Sequence, residues 1–282
     1  HQFNLIYPET DLTDYKVVIL PDRGVVDARL EKALKAFLAD GGAVIASHQA
    51  SLQDGGFRCP GLPVRYVGGN PSKPCYLELG KELGHGWPSS KFVFYEASTF
   101  VKPATGAVSL GRLVSSYFNR TYDRFCSHNQ TPYDKATGYP VAVVKGRVAY
   151  IAAEVFKAYQ EHAYSLYKSV VARVLKQVFP QPLVKAHSPS AMEISVNRQT
   201  NPKRLVAHLV NFQPQRRHIN VEWIEELYPV RDIALAVRTG KQPTSVTLEP
   251  SGPPLPFTMA DGYCHFVIPE VKAHAMVALE GC

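Results

Sequence analysis

No apolar run in this chain approaches the roughly 18 residues that a membrane-crossing helix needs, and no basic-then-apolar leader follows His1. Neither a membrane span nor a signal peptide is therefore expected. Cysteine is scarce: Cys59, Cys75, Cys126, Cys264 and Cys282 are too few and too irregularly spaced for a disulfide framework, and no Cys-x-x-Cys pair points to zinc. A reducing compartment, and with it a cytoplasmic location, is the default expectation. Gly-x-Gly-x-x-Gly, Gly-x-x-x-x-Gly-Lys-Ser/Thr and His-Glu-x-x-His are all missing, so the dinucleotide, P-loop and zinc-hydrolase chemistries lose their usual sequence support, and no cofactor is expected.

The 282 residues are 45% hydrophobic and 20% charged, a soluble globular composition that can build two cores. The formal charge of +7 admits a polyanionic partner in principle. Its densest basic stretches, Lys203-Arg204 and Arg216-Arg217-His218, lack the interleaved aromatics of a single-strand binder. They read as solvated charges on strand edges that discourage sheet aggregation, and no nucleic acid is expected.

The first half alternates strands and helices. Asn4-Leu5-Ile6-Tyr7 and Lys16-Val17-Val18-Ile19-Leu20, bounded by Pro8 and Pro21, suit strands of a buried parallel sheet. A helix is predicted from Asp27 as N-cap, with Leu30, Leu34, Phe37 and Leu38 on one face, ending at Gly41-Gly42. Ala43 to Ser47 then completes a strand-helix-strand unit. From Leu52 to Tyr139 the periodicity is poor and a long, loop-rich insertion with a few short strands is expected. Val141–Val144 and Val148–Ala152 read as a hairpin, and a helix is predicted over Glu161–Val178, ended by Pro180 and Pro182. Past Gln181, short strands between turn residues predict a separate all-β sandwich: Ala191–Val196, Leu205–Asn211, Asp232–Val237, Ser245–Leu248, Cys264–Ile268 and Ala275–Leu279. The domains expected are thus 1–180, α/β, and 181–282, all-β.

Open α/β sheets react at the carboxyl ends of their strands, which directs attention to Ser47 and its neighbour His48. A nucleophile elbow needs small residues two before and two after the nucleophile. Around Ser47 those positions hold Ile45 and Gln49, so Ser47-His48 resembles a triad in composition only. Glu154 follows a strand end and is the best single carboxylate, but no second acid pairs with it as glycoside hydrolysis usually requires. The densest polar cluster is Tyr117-Phe118-Asn119-Arg120-Thr121 with Ser127-His128-Asn129-Gln130-Thr131-Pro132. An aromatic beside Arg120 and His128 could grip a sugar or carboxylate, with Asn119 and Ser127 as further donors. The competing reading is a long loop whose polar side chains satisfy its own backbone.

The run Tyr15-Lys16-Val17-Val18-Ile19-Leu20-Pro21-Asp22, the stretch Ala39-Asp40-Gly41-Gly42-Ala43-Val44-Ile45-Ala46-Ser47, and the Asn119-Arg120-Thr121 and Ser127-His128-Asn129-Gln130-Thr131-Pro132 pair together resemble the β-galactosidase trimerisation domain. The resemblance covers about residues 3 to 180. It implies a flavodoxin-like, class I glutamine amidotransferase-like fold lacking that family's cysteine, followed by the small C-terminal sandwich of bacterial glycoside hydrolases such as those of family 42. It also implies catalytic carboxylates on an upstream barrel that this chain does not contain, and a first strand and helix lying before His1. No catalytic residue carries over.

Three functions compete on these grounds. The leading one is a non-catalytic assembly module of a glycoside hydrolase, forming a homo-oligomer, a trimer among the options, through the α/β domain. The second is a free-standing hydrolase using Ser47 or Glu154 with His48 or His128. The third is a carbohydrate-binding protein whose β domain offers Trp223, Tyr228 and Tyr263 as stacking platforms.

Overall fold

A computed structural model describes residues 1–216 and 220–282. Arg217 and His218, in the second basic stretch, lie outside the described residues. The chain divides into two compact units: Ile6–Pro180, and Gln181–Cys282 together with His1–Leu5. The architecture is mixed α/β, with many strands in several sheets and few helices. Among the described residues no helix is long and apolar enough to cross a membrane.

The first unit opens with β1 (Val17–Leu20), α1 (Ala28–Ala39) and β2 (Ala43–Ser47). Asp27 caps α1 as expected, its carboxylate accepting the Leu30 N–H at 2.8 Å. Leu30, Leu34 and Phe37 are buried along its inner face, whereas Leu38 is only half-buried. Each full burial of this kind stabilises by about 1.5–3 kcal/mol relative to exposure. The helix stops where Gly41 takes a left-handed φ of 87°. Gly42 then runs so close to the Phe37 ring that a Cβ there would sit 2.4 Å from it, so any side chain would collide.

Between β2 and the following hairpin the chain forms β3 (Leu52–Gln53), β4 (Gly56–Phe57), β5 (Val64–Gly69), β6 (Cys75–Glu78), α2 (Gly80–Gly84), β7 (Lys91–Phe94), β8 (Thr99–Pro103), β9 (Val108–Leu110), β10 (Arg112–Ser116) and β11 (Tyr133–Ala136). The loop-rich insertion is therefore more ordered than the sequence suggests. Strands β11-β10-β6-β7 make a four-stranded antiparallel sheet, and β5 pairs with β8. Four-residue strands carry too few alternations to announce themselves.

The hairpin β12 (Ala142–Lys145) and β13 (Val148–Ile151) forms as predicted and completes a five-stranded sheet of order β1-β2-β13-β12-β9. Only its β1-β2-β13 half is parallel, with Val17 opposite Ala43 and Val148 opposite Val44; β12 and β9 run antiparallel. The expectation of a strand at Asn4–Tyr7 is overturned. Residues 4–7 are exposed and belong to none of the described sheets, and His1–Leu5 group with the second unit instead. The predicted helix 161–178 is two helices, α3 (Val155–His162) and α4 (Ser165–Val178), broken where Ala163 adopts a left-handed φ of 48°. Leu166, Val170, Val174, Leu175 and Val178 of α4 enter the core as their spacing requires.

The second unit has two four-stranded antiparallel sheets. One orders β14 (Val184–His187), β19 (Val230–Arg238), β22 (Tyr263–Val271) and β21 (Phe257–Ala260); the other orders β15 (Met192–Thr200), β16 (Lys203–Asn211), β23 (His274–Glu280) and β20 (Val246–Glu249). Two short strands, β17 (Gln215–Arg216) and β18 (Glu222–Trp223), pair separately. Leu205, Ala207 and Leu209 of one sheet share a buried cluster with Leu235, Val237, Phe266 and Ile268 of the other. All six predicted strands are present, five of them longer than expected and the Ser245–Leu248 strand shifted by one residue to Val246–Glu249, and β14, β17, β18 and β21 were not anticipated.

Candidate functional site

At the carboxyl ends of β1, β2 and β13 the chain turns sharply, and two of the turn residues, Asp22 (φ 29°) and His48 (φ 48°), occupy the left-handed region. The turns are laced together: the Gln49 N–H donates to the Asp22 carbonyl at 2.8 Å, and the His48 N–H to that of Ile151 at 2.7 Å. The residue in elbow-like conformation is therefore His48, not Ser47. Its i−2 and i+2 neighbours, Ala46 and Ala50, are the small, fully buried residues that such a bend demands. That pattern was present in the sequence one position along from where Ser47 drew attention.

Ser47 is wholly buried and points away from catalysis. Its hydroxyl donates to Asp22 Oδ1 at 2.7 Å and accepts the Asp22 N–H at 2.8 Å. Asp22 Oδ2 accepts the Lys157 N–H at 2.8 Å, which makes this strand-end carboxylate the cap of α3. Glu154, although it stands at the N-cap position of α3, makes no capping bond. It is 1% exposed and accepts from Arg23 Nε at 2.9 Å. His48 is also buried, and its Nδ1 has no hydrogen-bond partner. Among the described contacts no hydroxyl or carboxylate is bonded to the His48 ring, so the Ser/His and Glu/His pairs needed for a hydrolase do not form.

Burial dominates the electrostatics here. It pushes the Asp22 carboxyl up, against the opposing bonds from Lys157 and Ser47, and pushes the His48 imidazole down, against the attraction of Glu154 and Asp22. The Ser47 hydroxyl is committed to Asp22 and Glu154 to Arg23, while the His48 Nδ1 is buried without a partner. The pole is a structural knot.

The second predicted cluster lies on the long loop between β10 and β11. Its base is fixed. Asn119 donates through Nδ2 to the Pro71 carbonyl at 2.7 Å and accepts the Lys73 N–H at 2.9 Å, while Thr131 exchanges hydrogen bonds with the backbone of Phe118. Gln130 accepts from the Tyr95 hydroxyl at 2.8 Å. The tip is open: Tyr122 and Phe125 are 105% and 71% exposed, and Tyr117, whose N–H bonds to the Pro132 carbonyl at the base, is 70% exposed. Arg120 lies 5.0 Å from the Phe125 ring and donates to Asn129 Oδ1 at 3.3 Å. Ser127 and His128 are exposed on the same loop, and the Cys126 thiol donates to the His128 carbonyl at 3.3 Å. Asn119 therefore holds the loop rather than presenting itself.

Glu96, which sequence reasoning passed over, ties the loop's anchor to α3. It accepts from Lys157 Nζ at 2.5 Å and contacts His162 Nε2 at 3.2 Å and Lys73 Nζ at 3.8 Å. Burial alone would raise its carboxyl, but the bonds from Lys157 and His162 and the charges of Lys157 and Lys73 outweigh it and leave it lowered. A groove of about 600 Å³ bordered by Glu31, Arg58, Arg65 and Tyr66 is separate from all these residues. In the second unit, Tyr263 is buried and donates to the Pro182 carbonyl, so it cannot serve as a stacking platform; Trp223 and Tyr228 are exposed. Among the described residues no group of three or more potential ligands could hold a metal ion.

At the strand ends Ser47 is bonded to Asp22 and Arg23 to Glu154 while the His48 Nδ1 stays unpartnered, and the exposed donors and aromatics crowd one loop. Comparison with known proteins gives the family. The model of the β-galactosidase trimerisation domain matches residues 2–176, and the chain belongs to that family, a non-catalytic portion of glycoside hydrolases. It is similar to the α-L-fucosidase isoenzyme 2 from Paenibacillus thiaminolyticus, at 28% identity and a TM-score of 0.91 over 98% of this chain and 42% of that one. It is similar in fold to Gan42B, a family 42 β-galactosidase, at 12% identity and a TM-score of 0.55 over 97% of this chain and 33% of that one. The chain thus spans less than half the length of either enzyme. No curated protein matches the sequence.

Proposed function

We propose that the chain works as an oligomerisation module beside a glycosidase barrel, joining copies through its α/β unit and extending the 117–131 loop toward a neighbouring subunit's sugar site. The carrying observation is the contrast within that loop: a base pinned by Asn119, Gln130 and Thr131, and a tip with the exposed aromatics Tyr122 and Phe125 beside Arg120 and His128. Aromatic and Arg side chains held outward on a rigid base are what protein interfaces use as anchors, and what sugars use as stacking and bidentate surfaces. The parallel half-sheet with His48 at its bend supports an amidotransferase-like ancestry for this unit, and the shared cluster between the two β-sheets supports a sandwich for the other. The enzymes it resembles make α-L-fucosides or β-galactosides the substrate classes to examine first.

The test joins light scattering to an activity assay on the 282-residue chain. A mass that is a whole multiple of the protomer, with no turnover of aryl fucosides or galactosides, is the expected result. A monomer that hydrolyses either substrate would overturn the proposal and revive Glu154 and His48 as reacting groups.

A further inference from the structure

On the second unit, β16 and β23 pair with His208 opposite Met276 and Val210 opposite His274. The side chains of Leu205, Ala207 and Leu209 enter the core, so alternation places His208 on the opposite face of β16. There the His208 and His274 rings lie nearly parallel, at 3°, with His208 Nδ1 and His274 Nε2 3.3 Å apart. His274 is exposed and His208 half-buried. No salt bridge engages either ring among the described residues.

We propose that His208 and His274 form a two-histidine binding site for a borderline divalent transition-metal cation of the zinc type, with water completing the coordination. The spacing supports it: two nitrogens each about 2.0–2.1 Å from a tetrahedral zinc lie roughly 3.3–3.4 Å apart. The pair already holds that separation, across the strand diagonal rather than within one flexible loop. Imidazole nitrogen also selects this class of cation over magnesium or calcium, which take oxygen donors.

In the metal-free pair one nitrogen donates its proton to the other. Coordination needs both lone pairs, so the donor ring passes to its other tautomer, moving its hydrogen to the outer nitrogen, and both rings tilt toward a common point. No net proton leaves when both rings start neutral.

The experiment is calorimetric titration of the full chain with zinc chloride in a non-coordinating buffer, with magnesium chloride as control. Parent protein is expected to show a zinc site in the micromolar range and none for magnesium. H208Q and H274Q, made separately so that misfolding of one leaves the other informative, should each weaken that site at least tenfold. A cobalt-loaded parent should show a d–d spectrum that both variants lose. Zinc binding as tight in both folded variants as in the parent, or no site tighter than millimolar, would overturn the proposal.

Discussion

The carboxyl pole of the parallel strands and the 117–131 loop hold the same kinds of side chain, yet they use them in opposite ways. At the pole, Asp22 is bonded to Ser47 and to the Lys157 N–H and Glu154 to Arg23, and Asp22, Ser47 and Glu154 are buried. On the loop, hydrogen bonds are spent at the base while Arg120, Tyr122 and Phe125 stay at the surface. Residue type alone therefore cannot nominate a site. What separates a structural knot from a recognition surface is whether donors and acceptors have partners and whether solvent reaches them.

The contrast breaks most visibly at Asp22. Asp22→Ala removes the cap of α3 and leaves the buried Ser47 hydroxyl without its acceptor, so a loss of about 2–4 kcal/mol is expected in urea unfolding. A loss below about 0.5 kcal/mol would mean the pole is not a knot.

The next effect is on pH dependence. The folded His48 is held below the ordinary histidine value of 6.5, so its contribution is fully present above that value and is lost as pH falls through it, at up to about 1.4 kcal/mol per pH unit. Asp22, raised above 3.8, acts in the opposite sense, its contribution being lost as pH rises through its folded value. His48→Asn keeps a side chain that tolerates the left-handed bend and should flatten the stability profile just below pH 6.5. An unchanged profile would assign that acid sensitivity elsewhere.

Smaller still is Asn119→Ala, which frees the Pro71–Lys73 backbone from the loop. About 1 kcal/mol of global stability should go, with faster amide exchange at Lys73, and protection unchanged at Lys73 would show that the base is held otherwise. Arg120→Ala should change stability by less than about 0.5 kcal/mol, because its bond and ring contact are both at the surface. A loss above 1 kcal/mol would move Arg120 from the exposed loop surface into the fold.

The sequence disclosed elements whose signals are local and repeated. Asp27 followed by Leu30, Leu34 and Phe37 specifies α1, and the hairpin around Lys145-Gly146-Arg147 needs no distant partner. It misled where the outcome depends on what lies alongside. Asn4–Tyr7 looks like a strand but joins no described sheet, and β6 and β7 are too short to show alternation before they pair. Tyr263 looks like a platform until the burial of its ring is seen. At the pole, Ser47, His48 and Glu154 were legible as residues, while the Asp22 carboxylate that organises them was not, because its bond to the Lys157 N–H spans 135 positions of sequence. The polar loop was legible by composition, and its division into base and tip required the contacts of Asn119 and Thr131.

The most direct measurement is sedimentation of the chain beside a Tyr122→Ser/Phe125→Ser double variant at equal concentration. The account predicts a closed oligomer for the parent and a shift of the variant toward monomer, with unfolding midpoints that agree closely. Identical sedimentation of the two, whether as monomers or as the same oligomer, would contradict an assembly role for the loop tip.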